Sequence, residues 1–114
     1  MSEPLARLLD LPDPPTALIV PSDWQAIGVY RALAARRRRI PDDLCVIGFD
    51  NDPGVCHSLT PALSSINYPS EQIGRQAVRL LLNQIREGSA MHRQTILIKS
   101  ELIERASIAP VKRS

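Results

Sequence analysis

Two polar clusters hold the residues of this chain whose types and spacing could do chemistry. Residues 50–52, Asp-Asn-Asp, follow the apolar run 44–49, and residues 22–23, Ser-Asp, follow the apolar run 16–20. Continuous apolar runs of this length are typical of strands in a parallel sheet that is covered on both faces. Because ligands of such sheets bind beyond the carboxyl ends of the strands, we expect any site to be built from these two clusters.

The acidic cluster allows a metal-dependent interpretation. Asp50 and Asp52 weakly resemble the Asp-x-Asp pair of phosphate-transferring hydrolases, whose chemistry needs Mg²⁺ and a lysine near the phosphoryl group. The two lysines, Lys99 and Lys112, lie far along the chain. A small α/β hydrolase that uses Asp50 and Asp52 with a metal is therefore an alternative, and not the favoured one.

Other common catalytic and cofactor motifs are missing from the sequence. The glycines form neither GxG nor GxxxxGK, so a nucleotide site of a common type is not expected. His57 and His92 have no zinc-ligand spacing, and no CxxC occurs. Cys56 and His57 are chain neighbours whose side chains would diverge in an extended segment, and Cys45 lies inside an apolar run. We therefore predict no metal, no cofactor and no catalytic residue.

A run of four arginines, residues 36–39, is a further candidate. Such a run could contact nucleic-acid phosphates, but at a helix end it also favours the helix dipole and is more often a solvated face. No recognition helix and no aromatic stacking platform accompanies it, and the net charge is only +2. Direct nucleic-acid binding through the run stays an alternative.

The composition is that of an ordinary soluble globular chain with one domain. Its 114 residues are 44% apolar and 23% charged. No apolar run approaches the ~18 residues that a membrane-spanning helix needs. Two cysteines without a secretory leader argue against a disulfide scaffold. We therefore expect a cytoplasmic protein with reduced thiols.

Apolar spacing and turn residues predict alternating strands and helices. The predicted strands are 16–20, 44–49, 63–66 and 95–98, with 102–103 continuing the last strand or forming another. The predicted helices are 3–11, one that Ser22 caps and that ends in the arginine run, and one from Ser70 to a stop at Gly88. This order is typical of an α/β fold with at least one right-handed parallel βαβ unit.

Five blocks of sequence, in this order and spacing, resemble the LacI/GalR family of bacterial transcription regulators. They are PTALIVPSDWQAIG at 15–28, IPDDLCVIGFDN at 40–51, TPALSSI at 60–66, the helix positions at 74–85 and ELIERAS at 101–107. The resemblance implies a three-layer α/β sandwich with a parallel sheet, part of a type I periplasmic-binding-protein-like fold. It covers only the C-terminal third of such a regulator, so the family's helix-turn-helix and hinge helix are not expected here.

The resemblance also divides the chain. Residues 1–109 would be a partial effector-binding and dimerisation domain. Within it, 16–66 and 104–109 would belong to the C-terminal lobe, and 67–103 would supply elements of the other lobe. Residues 110–114 would be a frayed tail.

By the same resemblance, Asp50 and Ser22 contact a small-molecule effector, a sugar or a purine-like compound. A carboxylate at the carboxyl end of a strand can accept two hydrogen bonds from such a ligand, each contributing ~1.5–3 kcal/mol. Asp50 could instead form a turn before Pro53, and Ser22 could serve only as a helix cap. Asp23 is expected to stabilise the helix N-terminus and not to bind ligand.

The resemblance places a homodimer surface on the helix 24–36 and the segment 54–59, with Ile27, Tyr30 and Leu59 as contact residues. The alternative is that these apolar side chains only fill the core. DNA would be bound only through the missing N-terminal domain. The implied function is that of a non-enzymatic regulator fragment.

One turn departs from the family pattern. The family usually ends the helix after the first strand with a left-handed glycine and then an apolar residue, whereas this chain has Arg37 and Arg38. A left-handed arginine costs about 1–2 kcal/mol relative to glycine, so we expect this turn to be rebuilt.

Elements without partners are expected in a chain of this extent. The edge of the predicted sheet and the apolar stripe of Ile73, Ala77, Leu81 and Ile85 would have nothing to pack against. We therefore expect self-association, exchange of elements or a rearranged compact form, and not a stable, effector-binding monomer.

Overall fold

The computed structural model describes residues 2–88 and 92–111. These residues form two compact units. The first unit holds the chain up to Asn67 and again from Glu101, and the second is Tyr68–Ser100. The helices are α1 (Ser2–Leu9), α2 (Asp23–Ala35), α3 (Pro53–Cys56) and α4 (Ser70–Glu87), and the strands are β1 (Ala17–Ile19), β2 (Cys45–Phe49), β3 (Ser64–Asn67) and β4 (Glu101–Ile103). None of the described helices is both long and apolar enough to span a bilayer.

A four-stranded sheet in the order β1-β2-β3-β4 organises the first unit. The strands β1, β2 and β3 are parallel, with Leu18 opposite Val46 and Gly48 opposite Ser65. The last strand, β4, runs antiparallel to β3. The α/β class and the parallel sheet expected from the sequence are thus confirmed, and the segment 102–103 belongs to a strand of its own.

The core lies on one face of this sheet. Leu33 of α2, Val46 of β2 and Leu63 before β3 are completely buried there, and α1 adds Leu5 and Leu9 to the same cluster. These side chains alternate along the strands with residues that point to the opposite face.

The opposite face of the sheet differs from the expected third layer. Ile19 points to that face and is 70% exposed, whereas its neighbour Leu18 packs against the core. The apolar runs predict two covered faces, but among the described residues of this unit the helices α1, α2 and α3 serve one core cluster.

The predicted strand 95–98 is wrong. Residues 92–100 carry no regular secondary structure, and Leu97 is 92% exposed. A strand needs a neighbouring strand to satisfy its backbone N–H and C=O groups. Among the described residues of the second unit, α4 is the only regular element, so no such neighbour exists there.

The boundaries of the second unit are narrower than the predicted segment 67–103, because Asn67 and β4 pair within the sheet of the first unit. The assignment of the units to lobes stays a prediction.

Gly88 ends α4 with a φ of 59°, as expected. Of the predicted frayed tail 110–114, residues 112–114 lie outside the described residues, and Val111 is 83% exposed.

The turn after α2 keeps the left-handed geometry that we expected to be rebuilt. Arg37 has a φ of 55°. Its N–H donates to Ala34 O at 3.0 Å, and the Arg38 N–H donates to Leu33 O at 2.9 Å. This pair of hydrogen bonds is a Schellman motif, which satisfies the last carbonyl groups of the helix. The arginine therefore occupies a position that suits glycine better.

Candidate functional site

The carboxyl ends of three parallel strands meet at one edge of the sheet. The Val20 N–H donates to Ile47 O at 2.8 Å, and the Asp50 N–H donates to Ile66 O at 3.0 Å, so the ends of β1, β2 and β3 are in register. Ser22 follows β1, Asp50 follows β2, and Asn67 closes β3. The topology thus brings both predicted effector-binding residues to the same edge.

Asp50 presents a free carboxylate at this edge. Its side chain is exposed, and its φ of 105° turns the chain away from the strand. Within the described part of the chain, no hydrogen bond or ion pair involves the Asp50 carboxylate. A carboxylate in this state is available to accept hydrogen bonds from a ligand.

Asp52, and not Asp50, performs the turn-forming role that the sequence left open. Its Oδ1 accepts hydrogen bonds from Gly54 N at 2.9 Å and Val55 N at 3.4 Å, which makes it the N-cap of α3. Pro53 at the first position of the helix has no N–H to satisfy. The two aspartates therefore have different local roles, although the sequence spaces them as a pair.

Asn51, between the two aspartates, is anchored on both sides. Its φ is 56°, and its backbone N–H donates to Ser65 Oγ at 3.0 Å. Its Oδ1 accepts a 2.6 Å hydrogen bond from Arg105 Nη2, and its Nδ2 lies 3.4 Å from Asn67 Oδ1. Arg105 is itself fixed, since its Nη1 donates to Leu63 O at 2.8 Å.

Asp23 is a completely buried carboxylate beneath this loop. Its Oδ2 accepts from Asp52 N at 2.7 Å and from the Cys56 thiol at 3.4 Å, and its Oδ1 accepts from Ser65 Oγ at 2.7 Å. Asp23 does occupy the first turn of α2, as expected for a residue that stabilises a helix N-terminus. Its side chain, however, joins the segments after β1, after β2 and in β3.

Gly48 makes room for this carboxylate. A Cβ atom at position 48 would overlap the Asp23 side chain and crowd Leu63. The glycine is the fourth of the five residues of β2, where a side chain would otherwise fit an extended backbone. Its absence of a side chain is therefore explained by the approach of Asp23.

Cys56 is a structural thiol and not a nucleophile. Two effects together raise the pKa of this thiol to about 11. The larger is burial, and the second is the adjacent Asp23 carboxylate, which accepts the S–H hydrogen bond. The thiol is therefore protonated near neutral pH, where a nucleophilic cysteine would need the thiolate. His57 is exposed at the end of α3.

Ser22 is the N-cap of α2, as the sequence predicts. Its half-buried Oγ accepts a hydrogen bond from Trp24 N at 3.3 Å, while its own O–H can still donate. The cap and a ligand contact are thus compatible. The indole of Trp24, in the same first turn, is 67% exposed.

The three predicted dimer residues lie in different environments. Tyr30 is 9% exposed, and its hydroxyl donates to Pro61 O at 2.8 Å. Burial raises the pKa of this hydroxyl to about 12. Leu59 packs against the core, and Ile27 is half-buried on the outer side of α2. The core role is therefore evident for Tyr30 and Leu59, and contact with a partner stays a prediction.

The arginine run is partly paired with acids of its own chain. Arg36 Nη1 lies 2.8 Å from Asp10 Oδ1, and Arg39 lies 3.5 Å from both Asp42 and Asp43. The Arg39 N–H also donates to Asp43 Oδ2, and this bond holds the pKa of that carboxyl below its usual value. Across residues 2–88 and 92–111, no three His, Cys, Asp or Glu side chains are grouped so that they could hold a metal ion.

A loop that is anchored beyond the carboxyl ends of parallel strands lies where α/β domains commonly bind ligands. This chain belongs to the family of periplasmic binding protein-like domains, whose model matches residues 1–108. The chain is 40% identical over 104 residues to the probable HTH-type transcriptional repressor ExuR of Bacillus subtilis, covering 91% of this chain and 31% of that protein. It is 39% identical over 106 residues to the HTH-type transcriptional repressor CytR of Escherichia coli, covering 93% and 30%.

A solved LacI family transcriptional regulator from Enterococcus faecalis V583, with bound ribose, has the same fold. The TM-score is 0.79 at 32% identity, over 97% of this chain and 40% of that one. The chain therefore spans about a third of the length of the curated relatives it matches. These matches confirm the family resemblance seen in the sequence, and they do not favour the hydrolase or nucleic-acid-binding alternatives.

Sequence reasoning missed the residues that support the site. Asp23 was assigned only to its helix, Ser65 and Arg105 were part of the resemblance without a role, and Asn67 was not singled out. A signal was present for Asp23, because Gly48 interrupts an otherwise apolar strand next to the expected site. For Arg105 no local signal exists, since its partner Asn51 is 54 residues away.

Proposed function

We propose that this chain is the effector-binding and dimerisation part of a LacI-type transcription regulator, with Asp50 as the carboxylate that binds the effector. The regulator is non-enzymatic and cytoplasmic. Support comes from relatives named as transcriptional repressors and from a similar regulator that holds ribose. The single observation that carries the proposal is the free carboxylate of Asp50, in a loop whose three backbone N–H groups donate to Ile66 O, Ser65 Oγ and Asp23 Oδ2.

The chemistry of the edge suits a polyhydroxylated ligand. An ionised carboxylate accepts hydrogen bonds through two oxygens, so Asp50 can bind two neighbouring hydroxyl groups of a sugar. The Ser22 hydroxyl can donate to a ring or hydroxyl oxygen while its own oxygen still caps α2. A sugar, or a compound that contains one, is therefore the effector class that we infer.

The regulator is a homodimer that contacts DNA through another part of the protein. Ile27 and Trp24 lie on the outer part of α2, where their apolar surface is still accessible to a second copy. Tyr30 and Leu59 support this surface from the core side. The arginine run is not part of the proposed DNA contact, because two of its members already pair with Asp10, Asp42 and Asp43.

The test uses a chimaera in which this chain replaces the matching segment of the ribose-bound Enterococcus faecalis regulator, which supplies the rest of the fold. Asp50→Asn should weaken the binding of D-ribose by roughly 1–3 kcal/mol, because one charge-assisted acceptor is lost. The matched control is Asp52→Asn, which changes the same charge two residues away and keeps an amide oxygen for the cap.

Titration calorimetry decides the outcome. We expect Asp52→Asn to bind D-ribose nearly as well as the unsubstituted chimaera, and all three proteins to show the same melting temperature within a few degrees. Equal ribose affinity of Asp50→Asn and the unsubstituted chimaera would reject Asp50 as the effector carboxylate.

A further inference from the structure

The loop of residues 50–52 is held in an unusual backbone conformation. Asp50 and Asn51 have φ values of 105° and 56°, and neither is glycine. Such conformations are unfavourable for a residue other than glycine and persist only where surrounding contacts determine them. The contacts that hold this loop therefore also determine the direction of the Asp50 side chain.

The backbone N–H groups of Asn51 and Asp52 are both connected by hydrogen bonds to the buried carboxylate of Asp23, one directly and one through Ser65. The Asp52 N–H donates directly to Asp23 Oδ2 at 2.7 Å. The Asn51 N–H donates to Ser65 Oγ at 3.0 Å, and the Ser65 hydroxyl donates to Asp23 Oδ1 at 2.7 Å. Both Asp23 and Ser65 are completely buried, so water does not compete for these hydrogen bonds.

Position 23 requires a side chain that accepts hydrogen bonds on both of its terminal atoms, as the carboxylate of Asp23 does. The hydroxyl of Ser65, the N–H of Asp52 and the S–H of Cys56 all donate to Asp23. An asparagine would turn an NH₂ group toward at least one of these donors and leave that donor unpaired. The lack of a side chain at Gly48 completes the arrangement, because it leaves space for the carboxylate.

We propose that Asp23 is a positioning residue for effector binding: acting directly on Asp52 and through Ser65 on Asn51, it fixes the loop that presents the Asp50 carboxylate. This inference rests on the proposed function for its biological meaning. The loop geometry itself can be tested without any ligand. Asp23 does not contact the effector, and its influence reaches the effector only through the loop.

The first experiment follows the backbone amide signals of Asn51 and Asp52 by NMR in the full 114-residue chain. Asp23→Asn should move the Asp52 signal upfield and Ser65→Ala the Asn51 signal, each with faster hydrogen exchange, because each change removes the acceptor of that amide. Ser65→Ala is the milder variant and keeps the inference testable if Asp23→Asn does not fold. The matched control is Ser107→Ala, another completely buried serine, whose Oγ accepts from Ser64 N and donates to Val46 O.

The second experiment measures D-ribose affinity in the chimaera. Ser65→Ala should weaken binding roughly tenfold, as expected for the loss of one hydrogen bond that orders the site. Ser107→Ala should lower the melting temperature by at least as much and leave the ribose affinity unchanged. A merely structural role for Ser65 and Asp23 would make the two serine variants lose affinity in proportion to their stability.

The results separate the two proposals. If the loop amides of Asp23→Asn and Ser65→Ala remain at their original positions in folded protein, the inference about Asp23 is overturned. If those amides move but the chimaera fails to bind D-ribose at all, the positioning of the loop stands and the proposed function fails. Loss of ribose affinity in Ser65→Ala together with shifted loop amides supports both.

Discussion

Identical side chains acquire different roles in the loop of residues 50–52. Asp52 uses its carboxylate to cap α3, whereas no described residue pairs with the carboxylate of Asp50. The two residues also differ in backbone conformation, since Asp50 has a φ of 105° and Asp52 a φ of −69° at the N-cap of α3. The chemistry of a residue is thus set by the conformation that its neighbours impose.

Arg37 offers a second test of backbone conformation at the residue scale. Because Arg37 adopts a φ of 55° in the Schellman motif after α2, Arg37→Gly should raise the free energy of unfolding by about 1 kcal/mol. Thermal or urea unfolding followed by circular dichroism measures the change.

The neighbouring Arg38→Gly is the control for this prediction. Arg38 is not among the described residues with positive φ, so glycine there only adds freedom to the unfolded chain and should cost about 0.5–1 kcal/mol. A stabilisation by Arg38→Gly, or a destabilisation by Arg37→Gly, would contradict the assigned turn geometry.

Local signals were sufficient for some of these residues and not for others. Ser22 was predicted as a helix cap from its neighbours alone, and Gly88 as a helix stop. Asp23 and Arg105 depend on partners 29 and 54 residues away, Asp52 and Asn51, which no local pattern contains. Asp50 was singled out by its position directly after a buried strand and by the family resemblance, and its contact with an effector stays a prediction.

At the scale of elements, strands were predictable where their partners are present. β1, β2 and β3 support one another through backbone hydrogen bonds and appear close to their predicted positions. The segment 95–98 has the same apolar composition, yet it is not a strand, because no strand accompanies it among the described residues of its unit. Apolar composition therefore predicts a strand only together with a neighbour.

The helix α4 shows the same dependence on partners. None of its described residues is buried, and Val78, Leu81 and Ile85 are 56%, 56% and 70% exposed. Because apolar surface in water is unfavourable by about 25 cal/mol per Å², this helix should drive self-association of the 114-residue chain. Sedimentation velocity at micromolar protein should show dimers or larger species that grow with concentration.

A charge on the exposed stripe tests whether α4 is responsible. Leu81→Glu should weaken the association roughly tenfold or more, as expected when one leucine can no longer be buried. Gln84→Glu adds the same charge to an exposed polar position of the same helix and should have little effect. A wild-type chain that sediments as a monomer throughout, or a Leu81→Glu variant that associates like the wild type, would contradict this role of α4.

At the scale of the whole molecule, the family could be inferred from the sequence because its blocks keep their order and spacing over most of the chain. The same blocks also predict that some elements of this chain lack packing partners. Among the described residues, Ile19 of the sheet is exposed, residues 92–100 form no strand, and α4 has no buried residue. This agrees with a chain that spans about a third of its curated relatives.

The central claim is that Asp50, and not its neighbour Asp52, binds the effector. Carbon-13 NMR of the aspartate side-chain carboxyl groups, recorded while D-ribose is added to the chimaera, tests it most directly. The account predicts a saturable shift of the Asp50 carboxyl signal, with the Asp52 signal unchanged because that carboxylate stays bonded to Gly54 and Val55. Saturable binding of ribose that leaves the Asp50 carboxyl signal in place would contradict it.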